Sequence, residues 1–78
     1  MGLLDAAGIG RVIRDARDRC GLTQSQLAER LGTHQSRVHY WEKGAHPPPR
    51  DDLPKIAEVL GLTVEQLILD PEPQAAQG

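Results

Sequence analysis

Thr23-Gln24-Ser25-Gln26-Leu27-Ala28-Glu29-Arg30-Leu31-Gly32, followed by Thr33-His34-Gln35-Ser36-Arg37-Val38-His39-Tyr40-Trp41-Glu42-Lys43-Gly44, reads as two short helices joined by one tight turn. Thr23 with Gln26 three positions on is a capping-box pattern ahead of the apolar Leu27, Ala28 and Leu31, so a helix starts at Gln24. Gly32 suits the left-handed backbone position that ends it. The next helix runs from Gln35 to Lys43, with Val38 and Trp41 three apart on its inner side and Gly44 closing it. His34 stands at its cap, a poorer capping residue than Ser or Asp. So short a joint makes the two helices cross steeply.

Two helices so joined are a helix-turn-helix unit. Working outward, Ile9, Val12, Ile13, Ala16 and Cys20 recur at three- and four-residue steps, predicting a first helix from about Ala7 or Gly8 to Gly21 with those residues inward. Beyond Gly44, Pro47-Pro48-Pro49 forces an extended connection. A fourth helix is expected over about Asp51 to Leu60, with Pro54 in its first turn and Ile56, Ala57 and Leu60 facing in. Thr63 and Gln66 repeat the capping-box pattern and launch a short fifth helix to about Leu69. The expected organisation is an N-terminal segment over residues 1–8, one all-α five-helix domain over 9–69, and a tail over 70–78.

Seventy-eight residues make one small core that buries roughly 60% of the extended chain's surface. No apolar run approaches the ~20 residues that cross a bilayer, and the start Met1-Gly2-Leu3-Leu4-Asp5 lacks a signal peptide's basic residues, which favours the cytoplasm and no membrane partner. Cys20 is the single cysteine, so no intrachain disulfide forms, and its place in an apolar series predicts a core filler. His34, His39 and His46 lack the paired ligand spacing of a zinc site. No metal or cofactor is expected. An enzyme is disfavoured too: there is no Gly-rich phosphate loop and no nucleophile–base arrangement.

Net charge is −2, but its distribution is uneven. Between Leu31 and Arg50, Arg37, Lys43 and Arg50 face Glu42 alone, with all three histidines in the same stretch; from Asp51 onward acidic residues dominate. A locally positive face therefore coexists with an acidic end, and the local footprint is what meets phosphates. With Val38 and Trp41 inward, Gln35, Ser36, Arg37 and Tyr40 are the candidate base readers. A Gln amide pairs bidentately with adenine, Arg with guanine or a phosphate, and Tyr40 with a thymine methyl or the backbone. Gln24, at the first turn of its helix, is a candidate phosphate contact together with Lys43, His39, His46 and Arg50.

The residues Leu27-Ala28-Glu29-Arg30-Leu31-Gly32, Gln35-Ser36 and Trp41-Glu42-Lys43-Gly44 resemble the Cro/CI-like (XRE-type) helix-turn-helix family of bacterial and phage regulators, over about Ile9 to Leu69. The resemblance implies a lambda-repressor-like fold, a phosphate clamp at Gln24, and a groove face at His34, Gln35, Ser36, Arg37 and Tyr40. It also implies an Arg17–Glu42 pair tying the first helix to the third. Dimerisation through the carboxyl-terminal part is a further implication, which agrees with the surplus of Leu62, Leu67, Ile68 and Leu69. Such a homodimer would read a palindromic double-stranded operator and repress by excluding polymerase, although activation fits the same residues. The rival reading is an antitoxin-like interaction module whose main ligand is a protein such as a toxin.

Overall fold

The structure, a computed structural model, describes residues 2–70. Five α-helices follow in order: α1 Ala6–Arg19, α2 Gln24–Leu31, α3 Gln35–Lys43, α4 Leu53–Leu60 and α5 Val64–Ile68. Beyond Asp70, the tail expected over 70–78 lies outside the described residues. Both predicted capping boxes form. Thr23 Oγ1 accepts the Gln26 amide at 3.0 Å while Gln26 Oε1 accepts the Thr23 amide at 2.8 Å, and Thr63 and Gln66 do the same at 3.0 and 2.9 Å. Helices α2, α3 and α4 each end on a left-handed glycine, at Gly32, Gly44 and Gly61.

Three boundaries differ from expectation. α1 starts at Ala6 because Asp5 caps it, its carboxylate accepting the Gly8 amide at 2.8 Å. The segment expected to begin the fourth helix is a 3₁₀ turn over Arg50–Asp52. Pro54 has no N–H to return to the Arg50 carbonyl, so that oxygen takes the Leu53 amide instead. Finally, Leu69 is extended rather than helical and pairs antiparallel with Leu3. Leu4 N–H donates to the Ile68 carbonyl at 2.7 Å, and Asp70 N–H to that of Gly2 at 2.9 Å. The two ends of the described chain are thus tied together.

Ile13 and Ala16 from α1, Leu27 and Ala28 from α2, Val38 and Trp41 from α3, Ile56, Ala57 and Leu60 from α4, and Leu67 from α5 form one core. Cys20 does not join it. It is exposed, because α1 ends at Arg19 and the stripe loses its period there; its thiol lies 3.6 Å from the Leu60 carbonyl. α3 packs mainly on α1 and α2, and Gly10 permits the first contact. A methyl at Gly10 would run into the Trp41 carbonyl oxygen and lie 2.9 Å from that of Glu42. Only a residue without Cβ lets the two backbones approach so closely.

Candidate nucleic-acid interface

The orientation of α3 follows from its two anchors. Val38 is 0% and Trp41 3% exposed, and each buried side chain contributes about 1.5–3 kcal/mol relative to exposure. At about 100° per residue, Ser36 and Lys43 then lie opposite that stripe, with His39 and Tyr40 to either side of the outward line. Gln35 and Arg37 occupy opposite flanks. His34, Gln35, Ser36, Arg37, His39, Tyr40 and Lys43 are all exposed. Tyr40, at 46%, is one of two large apolar side chains that stand out from the surface among the described residues.

The inner flank belongs to a hydrogen-bonded chain. Arg17 Nε and Nη2 donate to Glu42 Oε2 and Oε1 at 2.6 and 3.0 Å, and Nη1 donates to the Leu22 carbonyl at 2.8 Å. The two charged side chains are 12% and 5% exposed. The hydrogen bond to Glu42 is the main cause holding the Arg17 pKa above its ordinary value, opposed by burial and reinforced by the nearby negative charges. Gln24 Nε2 donates to the same Glu42 Oε1 at 3.0 Å, and Gln35 Nε2 donates to Gln24 Oε1 at 3.2 Å. Helix α1 is thereby connected through Glu42 of α3 and Gln24 of α2 to Gln35, the first residue of α3. Both glutamines keep further donor and acceptor capacity for a ligand.

Arg14, Arg17, Gln24, His39, Glu42 and Lys43 line one shallow concavity on this side. Arg14 is the residue that sequence reasoning missed. Its signal was its place one helical turn before Arg17, on the same face of α1. On the outer flank Arg37, Tyr40, Trp41 and His46 line another hollow with Pro47 and Pro49. The His39 and Tyr40 rings lie 5.5 Å apart and those of Tyr40 and His46 5.7 Å, both edge to face. Arg50 is not part of this assembly: it borders a groove with Leu3, Leu4, Ile9, Leu53 and Ile68, where no α3 side chain is found.

At their caps α3 and α4 both lack a side-chain bond to the first turn. His34 has extended backbone but its side chain makes no capping bond, whereas α2 and α5 each spend a first-turn amide on a threonine. Of the four apolar residues expected at a dimer contact, Leu67 is 0% exposed and belongs to the core. It sits on the inward side of α5, so it is unavailable to a partner. Leu62, Ile68 and Leu69 remain partly exposed. Among the described residues no group of His, Cys, Asp and Glu is placed to hold a metal ion, and no helix is long and apolar enough to cross a membrane.

Known proteins share this fold. A curated relative from Archaeoglobus fulgidus, an uncharacterised HTH-type transcriptional regulator, is 33% identical over 57 residues, which are 73% of this chain and 81% of that one. The restriction-modification controller protein C.AhdI from Aeromonas hydrophila superposes with a TM-score of 0.74 at 27% identity, covering 80% of this chain and 94% of that chain. The clp gene regulator ClgR from Corynebacterium glutamicum shares the fold, with a TM-score of 0.76 at 23% identity over 82% of this chain and 68% of that one. Hydroxypropylphosphonic acid epoxidase from S. wedmorenis also contains the shape, with a TM-score of 0.74 and 28% identity; 81% of this chain matches, but only 34% of that enzyme. The chain therefore spans about a third of the epoxidase it resembles. Residues 9–67 match the family model of a helix-turn-helix domain, and with the relative from Archaeoglobus fulgidus this places the chain in the helix-turn-helix family of transcriptional regulators.

Proposed function

We propose that the protein is a sequence-specific repressor that binds a palindromic duplex as a homodimer, with α3 in the major groove. The observation that carries this reading is the exposed polar side of α3, held outward by Val38 and Trp41 and flanked by cations on both sides. A helix about 10–12 Å across fills a groove about 12 Å wide. Ser36, His39 and Tyr40 would meet its floor, with Gln35 and His34 at the leading end and Lys43 reaching a phosphate at the far end. Arg14 and Gln24 on one side and Arg37 and His46 on the other would meet the phosphate walls, which set register rather than sequence preference. Resemblance to a controller protein supports the regulatory role. Two copies joined through Leu62, Ile68 and Leu69 would present two reading helices about 34 Å apart, one turn of DNA.

Selection of bound duplexes from random DNA, followed by affinity measurements across a salt series, tests this reading. The expected outcome is a two-fold symmetric consensus with affinity falling steeply as salt rises. A protein that selects no sequence and binds duplex weakly at every salt concentration would refute it. The second reading is a protein-interaction module. It is favoured by the apolar groove that Leu3, at 76% exposure, shares with Leu53 and Ile68, and the same binding experiment separates the two.

A further inference from the structure

Arg37 stands on the outer flank of the reading helix, and it already has an anionic partner. Its Nη2 lies 3.6 Å from Asp52 Oδ2, its Nη1 donates to Thr33 Oγ1 at 3.4 Å, and its guanidinium carbon is 5.5 Å from the centre of the Trp41 ring. Asp52 immediately precedes α4, where a carboxylate ordinarily accepts a first-turn amide. Here it makes no such bond. Its backbone is already helical (φ −86°, ψ −14°) because it closes the 3₁₀ turn that Pro54 imposes, so its carboxylate is left to face α3. Arg37 and Asp52 border, with Gly32, Trp41 and Lys55, a hollow of about 140 Å³. Their side chains are 46% and 43% exposed, open to exchange with a ligand.

We propose that Asp52 is an intramolecular stand-in for a DNA phosphate: it occupies Arg37 in the free protein and is displaced when α3 enters the groove. A guanidinium bonds carboxylate and phosphate oxygens through the same donors, so the two anions compete for one group. The proposal rests on the DNA-binding reading of α3 given above. Asp52 thereby lowers affinity for every duplex, and its effect passes through Arg37. An exposed pair of this kind is worth about 0.2–1 kcal/mol, so its release shifts affinity by about one-and-a-half- to fivefold per half-site, or about two- to thirtyfold for a dimer that engages both.

A double-mutant cycle tests it. Wild type, Asp52→Asn, Arg37→Gln and the double variant are titrated by fluorescence anisotropy against the duplex selected by wild type and against an unrelated duplex. Asp51→Asn, one residue away, measures the effect of removing a nearby negative charge. Asp52→Asn is expected to tighten binding to both duplexes within the range above. In the Arg37→Gln background the same change is expected to do no more than Asp51→Asn does. An equal gain with and without Arg37 means simple charge removal and overturns the proposal, as does no gain at all in the wild-type background. Failure of the DNA reading itself is distinguishable, because wild type would then bind neither duplex.

Discussion

Gln35 and Lys43 lie on the same helix, yet their replacement should give different signatures. Gln35 is exposed at the first position of α3, with its amide held toward Gln24. A bidentate amide–adenine contact discriminates by about 1–3 kcal/mol. Gln35→Ala should accordingly broaden the consensus recovered by selection at one position per half-site. Lys43, at the far end of the same helix, bears a charge that any phosphate attracts. Lys43→Ala should weaken binding to all sequences nearly alike and reduce the slope of log affinity against log salt by about 0.9 per half-site. If neither change alters selection or affinity, the assigned reading face is wrong. Tyr40 was legible as exposed from its place away from the Val38–Trp41 stripe; its edge-to-face contact with His46, six residues on and beyond the turn at Gly44, was not.

At the scale of elements, the ion pair between Arg17 and Glu42 ties α3 to α1. Glu42 accepts from both Arg17 and Gln24, so one carboxylate joins three helices. Such a pair is poor evidence of net stability, but removing Glu42 leaves the largely buried Arg17 with the exposed Asp18, 3.3 Å from its Nη1, as its remaining anionic neighbour and costs up to about 3–5 kcal/mol. Glu42→Ala should therefore lower the unfolding free energy by that amount, read from urea denaturation; a loss below about 1 kcal/mol would mean that Arg17 finds water instead. The pH response follows from the raised Arg17 pKa. A group whose pKa is raised on folding contributes its full stability below the unfolded value and loses it only as pH rises through the folded one. For an arginine both lie far above neutrality, so Arg17 should add no pH dependence to unfolding across the neutral range.

For the whole molecule, the question is which apolar residues serve the core and which are left for a second subunit. Leu67 is sealed while Leu69, two residues on, is partly exposed in an extended segment against Leu3. Leu67→Ala should cost about 2–5 kcal/mol of stability, as other buried leucine truncations do. Leu69→Glu should leave the unfolding midpoint nearly unchanged and shift the protein to monomer in analytical ultracentrifugation. Binding to a two-half-site duplex should weaken with it. A Leu69→Glu protein that stays dimeric would exclude this segment from the interface.

Local chemistry in the chain was enough to establish the helices and the family. Thr23 with Gln26, Thr63 with Gln66, and the closing glycines 32, 44 and 61 mark boundaries through bonds made within a few residues, and Val38 with Trp41 gives the inner side of α3. Contacts between residues distant in the chain were settled only by the tertiary structure. Gly10 carries no signal of its own in the sequence, and the approach of the Trp41 and Glu42 carbonyls explains it. Asp52 reads as an acidic residue in the first turn of the fourth helix, but its geometry turns it to Arg37. Cys20 reads as core, yet its helix ends one residue before it. In each case periodicity and capping report the backbone's own bonds, while the partner that a side chain finally meets depends on how separate helices cross.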